Sequence, residues 1–445
     1  MQKTWLLSLF IVFASQLTAQ QELMLHSLPN IWHSTTTNPA FFPENKKFVL
    51  GLSGVGLDAA HSGDITYRDI FKKNGDRTII DFSNAIDRLD PNNEAQIDQR
   101  SDVVSLGFRL PGKMYLQAGY ANRLSGVVNY PKSLPELLWY GNGQYIGETL
   151  EIAPQADIAD WNEWSIGFMK EFGKVRLGVR GKILSGVSAL RSDPDHASMS
   201  VYTSPDIYQL TLHTDYGFYS SSIISSIDTA GLGFDFKLAE TKRKYLSTNT
   251  GNAVDIGIQV KVNDKLTLDA SVLDIGGKIT WDSKSNYFLS QGDYEYEGTV
   301  FPGTDIINGA DSLSFNLTLD TLNDVFNFEK TPTEFTSKLP LRGYFGAQYT
   351  FSRRLEFGVN GYFSKPENSD ANYAVGLSAR WHLKQWFSVG TMYSVNDRSA
   401  ANVGFHVLLK LLPLQMYFAT DNLFNAFSIK KSPAVNLRAG VALML

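Results

Sequence analysis

The sequence has no cysteine, which excludes disulfides, thiolate nucleophiles, iron–sulfur clusters and cysteine zinc sites together. Charge is scarce: 19 % of the 445 residues are Asp, Glu, Lys or Arg, with a formal net charge of −5. No run of Lys or Arg marks a phosphate-binding patch, so nucleic acid is not an expected partner. Long apolar runs are missing after residue 20; the nearest, 403–420, is interrupted by Lys410 and Pro413. With a mean hydropathy of −0.16, a bundle of transmembrane helices is excluded. Catalytic signatures are missing too. The seven histidines form no HExxH pair, and there is no GxSxG elbow, Walker motif or dinucleotide fingerprint. His61 with Asp64, and Asp193 with Asp195 and His196, are the best acidic–histidine groupings, and solvated loop polarity accounts for both. The expectation is therefore a protein that is not an enzyme, with no catalytic residues, no metal ligands and no cofactor.

What is present is glycine, at 36 residues, and aromatic side chains, at 13 %. A disordered chain would be poorer in aromatics and richer in charge. The first residues read as an address. Lys3 precedes an unbroken apolar stretch over 5–14, and Leu17-Thr18-Ala19 ends in a small residue before Gln20. This is the layout of a secretory signal peptide over 1–19, too short to span a bilayer. Export without disulfides fits the envelope of a Gram-negative cell.

After the signal, two-residue alternation recurs. Residues 355–364 place Leu355, Phe357, Val359 and Phe363 on one face, with Glu356, Gly358, Asn360, Tyr362 and Ser364 on the other. Residues 373–383 oppose Tyr373, Val375, Leu377, Trp381 and Leu383 to Gly376, Ser378, Arg380 and His382. Residues 435–445 repeat the pattern around Asn436 and Arg438. Counted along the chain, such segments predict an all-β fold: a transmembrane antiparallel β-barrel of about 14–16 strands, many about 9–11 residues long. Trp161, Trp164, Trp281, Trp381, Trp386, Tyr373 and Tyr393 fall near strand ends, where interface girdles belong. A soluble multi-sheet protein carries the same alternation with the apolar face turned inward, so alternation alone leaves it open.

Connections are uneven. Gly173-Lys174, Asn263-Asp264, Ser352-Arg353 and Lys384-Gln385 suit tight turns. Long insertions fall at about 60–98, 125–160, 215–250 and 301–335. The first carries a helical pattern over 78–89, with Ile79, Phe82 and Ile86 on one side and Asp81 and Asp87 opposite. Residues 134–140 and 317–328 are two further short helical candidates. Each is either a folded-back surface loop or a segment that plugs the lumen.

Asn38-Pro39-Ala40, on a short arm spanning 20–46 and just before the first strand, resembles a feature of FadL-like outer-membrane barrels. It also resembles PorP/SprF-like proteins associated with gliding and type IX secretion. Thr420-Asp421-Asn422-Leu423-Phe424 is similar to a late-strand signature of Bacteroidota envelope proteins. The nearest resemblance is to an uncharacterised family of such barrels known only as a domain of unknown function, covering nearly the whole chain after residue 19. It implies a barrel over 47–445 in the cell outer membrane, in contact with its lipid, and a hatch turn at Asn38, Pro39 and Ala40 whose Asn caps the local backbone. The arm is short, so a plug would come instead from 60–98.

If the apolar face meets lipid, the opposite face lines the lumen. It collects Arg109, Arg176, Arg180, Lys182, Lys261, Lys265, Arg342, Arg380, Lys410 and Arg438 against Asp102, Asp255, Asp269 and Glu356. Residues 64–98 carry eight acids against five bases, so an acidic plug pairing with a basic wall accounts for both biases. The alternative is an anion-preferring passage. Two functions remain: a partly plugged channel for hydrophobic or small anionic ligands, or a non-transporting scaffold whose long loops dock an envelope protein. A hydrophobic route would need an apolar pocket, which Phe82, Ile86, Phe326 and Phe328 would supply from inside the lumen.

Overall fold

Side chains alternating at a period of two fit extended strands, and in the computed structural model fourteen such strands close into one antiparallel barrel. The structure describes residues 23–445 apart from 44, 63–64, 75–76, 207–208, 223, 228–233, 237–245, 283–284, 297–327, 368–370, 397–401 and 424–433. The wall runs β1 (Phe48–His61), β2 (Asn92–Leu110), β3 (Met114–Pro131), β4 (Gln155–Phe172), β5 (Val175–Thr203), β6 (Thr250–Lys261) and β7 (Leu266–Trp281). It continues through β8 (Leu341–Ser352), β9 (Leu355–Lys365), β10 (Asn372–Lys384), β11 (Phe387–Asn396), β12 (Asn402–Leu411), β13 (Leu414–Thr420) and β14 (Ala434–Met444). Each strand pairs with the next. β1 pairs with β14 from Val49↔Met444 to Ala60↔Ala434, so the sheet has no open edge. Six short turns lie at one end, beside the starts of β1 and the end of β14, and the long connections lie at the other.

The polar face is the buried one. Leu377 on β10 is 61 % exposed, whereas Arg380 on the same strand is 6 % and Asn360 on β9 is 0 %. Ile166, Val179, Ile256, Phe345, Phe357 and Val375 likewise stand on the outside. A soluble sandwich would hide these side chains, so this inversion excludes it and fits a wall facing lipid. No helix among the described residues is long and apolar enough to cross a membrane; in a barrel the strands cross, every backbone group paired within the wall. Trp164, Trp381, Trp386, Tyr373 and Tyr393 are exposed, as a girdle requires. Trp161 and Trp281 are not: both are buried inside the barrel. On β4 the two-residue period places Trp161 with Glu163 on the inward face and Trp164 on the outer one, and the left-handed Asp274 and Gly276 interrupt β7 before Trp281.

Several strands outrun the bilayer. β5 has 29 residues; its first part pairs with β6, but residues 190–203 pair with the strand Leu210–Ser221. That strand pairs with Ser285–Tyr296, forming a sheet that projects beyond the barrel around Leu212, Tyr216, Phe218 and Phe288. In consequence residues 92–98, 125–131 and 155–160 belong to strands, not to insertions as expected. The helix expected over 78–89 is also shorter. Arg77–Ile80, which contains Ile79, is a strand paired with Phe71–Asn74, and the helix is confined to Ser83–Asp87. Asp81 accepts the backbone N–H of Ser83 at 2.9 Å, a local turn that starts the helix only after it. Residues 134–140 lie within the helix Ser133–Tyr140. The third helical candidate falls outside the described residues except Phe328, which packs on the projecting sheet.

Leu377→Arg tests which solvent the outer face meets. In lipid vesicles it is expected to destabilise the barrel by about 2–4 kcal/mol, read from denaturant titration, because a charge there faces hydrocarbon.

Candidate functional site: an arm seated in a polar lumen

Residues 23–43 run inside the barrel. The helix Leu23–His26 and the 3-10 turn Trp32–Thr36 are almost wholly buried, and the arm touches the inner face of strands around the whole circumference. Trp32 donates from its backbone to Gln415 on β13 at 3.0 Å and from its indole to Ser105 on β2 at 2.7 Å. Met24 N–H reaches Asp421 at 2.6 Å, and Arg380 on β10 donates to the Ser27 carbonyl at 2.6 Å. His26 stands 2.9 Å from Asp269 on β7 and stacks on Tyr344 of β8.

Asn38, Pro39 and Ala40 sit where β5, β6 and β7 meet. The Asn38 carboxamide oxygen accepts Ala40 N–H at 2.9 Å, closing a tight turn. Its NH₂ donates to the carbonyls of Ile258 on β6 (3.3 Å) and Ala270 on β7 (3.2 Å). Ser271 donates to the Thr37 carbonyl at 2.6 Å, and Gln117 on β3 donates to those of Pro39 and Phe41. This approach is possible only where the wall has no side chains. A Cβ on Gly178 would lie 2.3 Å from the Pro39 backbone, and one on Gly257 2.0 Å from Asn38 Oδ1. Gly51 and Gly107 make the same room for the Trp32 indole.

Beside the turn, a belt of buried charges spans seven consecutive strands. Asp274 on β7, at φ +60°, accepts Lys182 on β5 (2.6 Å) and Arg342 on β8 through two nitrogens (2.7 and 2.9 Å). Arg123 on β3 stands 3.4 Å from the same carboxylate. Asp255 on β6 takes Arg180 (2.6 Å) and Lys182 (2.9 Å), and accepts the Asp274 backbone N–H at 2.8 Å. Glu163 on β4 faces Arg100 (3.2 Å), Arg123 and Lys182, and Arg100 also holds Asp102 at 2.8 Å. Arg180 joins belt to arm, donating to the carbonyls of Thr35 (2.8 Å) and Thr36 (3.2 Å).

The six arginines among the ten basic residues expected on the lumen face divide by depth. Arg180, Arg342, Arg380 and Arg438 are buried inside. Arg176 is half-buried near the short turns, bonded to Glu171 and Gln259. Arg109 is exposed at the rim, over the ring of Tyr115. Their partners correct the expectation of an acidic plug from 60–98. Among the described residues the neutralising carboxylates come from the wall, with Asp98 contributing only as a residue of β2, 3.8 Å from Arg123. Phe82 is exposed and packs edge-on against Trp139 at the long-loop end, Asp87 is exposed, and Ile86 is buried in its own short helix. The side chain of Ile79 lies outside what is described. Among the described residues it is the arm that occupies the lumen.

Arg100, Arg123, Glu163 and Asp274 escaped the sequence reading. The first two lie at the margins of segments taken as insertions, and an extra residue at Val103 on β2 reverses the side-chain parity by which Arg100 would be read onto the lumen face. Among the described residues no group of three His, Asp or Glu is placed to hold a metal ion. His61 bonds Tyr130, and on the projecting sheet His196 bonds Asp215 at 2.6 Å. That hydrogen bond raises the His196 ring above its usual 6.5.

Two outcomes follow from this geometry. Gly178→Ala is expected to unseat the arm, exposing Trp32, Phe41 and Phe42 to chymotrypsin in the folded protein. Gly181→Ala, where a Cβ meets nothing within 4 Å, leaves them protected. Asp274→Ala removes a carboxylate shared by three buried cations and is expected to cost about 3–5 kcal/mol in denaturant titration.

In structural comparison, 207 chains match. A deletion mutant of the TodX monoaromatic hydrocarbon channel is 11% identical at TM-score 0.45, with 92% of this chain and 93% of that one covered. The Pseudomonas putida toluene transporter TodX is 9% identical at TM-score 0.43, over 97% and 99%. A Pseudomonas aeruginosa FadL homologue is 12% identical at TM-score 0.40, over 96% and 95%. At such values the likeness speaks to neither ligand nor mechanism. No curated protein matches. The family model matching residues 39–421 is that of the Family of unknown function (DUF5723), and the chain belongs to this family.

Proposed function

We propose that this protein is an outer-membrane barrel forming a gated passage for small hydrophilic compounds, held shut by its own N-terminal arm. The apolar outer face and closed wall support the membrane setting, with the short turns toward the periplasm. One observation carries the gate. The arm rests on a glycine-faced stretch of wall through side-chain-to-backbone hydrogen bonds, a seat it can leave without breaking the wall's own ladder. The solute is hydrophilic because the belt crosses the lumen. A hydrocarbon on that path would have to displace paired buried charges, whereas water and polar solutes can solvate them. Phe82 and Phe328 lie at the long-loop end and build no apolar route inside.

The same belt favours a second reading, a permanently filled barrel that serves as an envelope scaffold through its projecting sheet, as in PorP/SprF-like proteins. Planar-bilayer conductance separates the two. The wild type is expected to be silent, and Gly178→Ala to open discrete channels. A variant whose arm is cut by chymotrypsin yet stays silent would establish the scaffold.

A further inference from the structure

The two ends of the barrel differ in exposed charge. Five of the six short turns carry exposed cations: Lys113, Lys174, Lys265, Arg353 with Arg354, and Lys384. Among the described residues Asp264 is the only exposed acid on those turns, and Glu171 beside them is taken by Lys113 at 2.8 Å and Arg176 at 3.2 Å. Lys265, Arg353 and Arg354 make no side-chain hydrogen bond or ion pair among the described residues. At the other end, the projecting sheet and its turn expose Asp206, Asp215, Asp293 and Glu295.

The neighbours of these cations are apolar and exposed: Phe172 before Lys174, Val262 before Lys265, Phe351 before Arg353 and Trp386 after Lys384. Lys170 lies 5.0 Å over the Phe172 ring and Lys384 5.6 Å over that of Trp386. Phe351, 62 % exposed, continues the outward row of Phe345 and Tyr349 on β8. Arg353 comes two residues later, about 7 Å along an extended strand. The polar layer of a bilayer is roughly 5–7 Å deep on each side of the hydrocarbon, so a cation at that distance stands among lipid phosphates. The cations are also spread over ten of the fourteen strands rather than gathered on one side. A docked protein or polymer needs one patch, whereas a ring fits the annulus of lipid around a barrel. A zwitterionic headgroup brings its own ammonium; an anionic one leaves its phosphate charge to the rim. We propose that the short-turn rim selects anionic phospholipids in the leaflet it meets. The inference rests on reading the outer face as a membrane face and makes no use of the gate.

Electron spin resonance of labelled lipids tests it. The refolded full-length protein is placed in phosphatidylcholine vesicles, and the fraction of label immobilised at its surface is compared for spin-labelled phosphatidylglycerol and phosphatidylcholine. In low salt the anionic lipid is expected to associate about two- to fivefold more strongly. The preference is expected to fall toward parity in high salt and in a variant carrying Lys265→Gln, Arg353→Gln and Arg354→Gln, three exposed positions that carry no packing. A control with Arg88→Gln, Lys278→Gln and Lys330→Gln, exposed cations of the long-loop end, is expected to keep it. Parity in the wild type, a preference that survives the rim substitutions, or one lost equally in the control would overturn the proposal. So would rim-dependent binding of soluble polyglutamate without lipid preference, which would mark an acidic partner instead. A chain that enters vesicles yet shows parity leaves the membrane reading standing, and one that enters no vesicle removes both.

Discussion

Asp274 is buried beside three cations drawn from three other strands, and its backbone N–H is held by a second buried carboxylate. Much of the interior depends on this arrangement. A wall whose outer face meets hydrocarbon must turn its polar residues inward, where charges have little water to solvate them. Each must then find its counter-charge within the lumen. Placing five cations and four carboxylates on adjacent strands achieves this only if β2 to β8 hold one register, because a slip by one residue would turn a charge toward lipid. Lys182 shows how tightly the strands are tied: its ammonium faces carboxylates on β4, β6 and β7 at once.

The arm answers a different need. A barrel of this size would otherwise leave a water-filled bore. The arm fills it with Leu23, Leu25, Leu28, Ile31 and Trp32, residues that would be misplaced on a polar wall. It is held by backbone carbonyls and glycine-faced surface more than by ion pairs, and Arg180 is its principal link to the belt. Wall stability and arm seating are thus separable. On the reading of a gated passage, that separation lets the arm move while the wall stays closed.

The strands of the second half were legible residue by residue. From 341 to 445 the alternation is regular, and Tyr373, Val375, Leu377 and Trp381 face outward while Arg380, Asn436 and Arg438 face inward, as the two-residue period dictates. The first half was harder to read. Its strands exceed the bilayer, so their outer parts look like loops, and bulges break the parity. The arm was legible only as a turn. Its tripeptide could be recognised, but its seat is made of glycines on strands more than a hundred residues away, and a glycine carries no sign of what rests on it.

By itself the sequence determined the strand periodicity, the absence of membrane-spanning helices and the absence of thiol chemistry, because these depend on residue type and local spacing alone. Only the tertiary structure decided that the polar face is the buried one, that among the described residues wall carboxylates neutralise the buried cations, and that the arm lies in the lumen. Those outcomes depend on which strands become neighbours and in what register. Closure fixes both, joining residues as distant as Arg123 and Asp274 within one charged cluster.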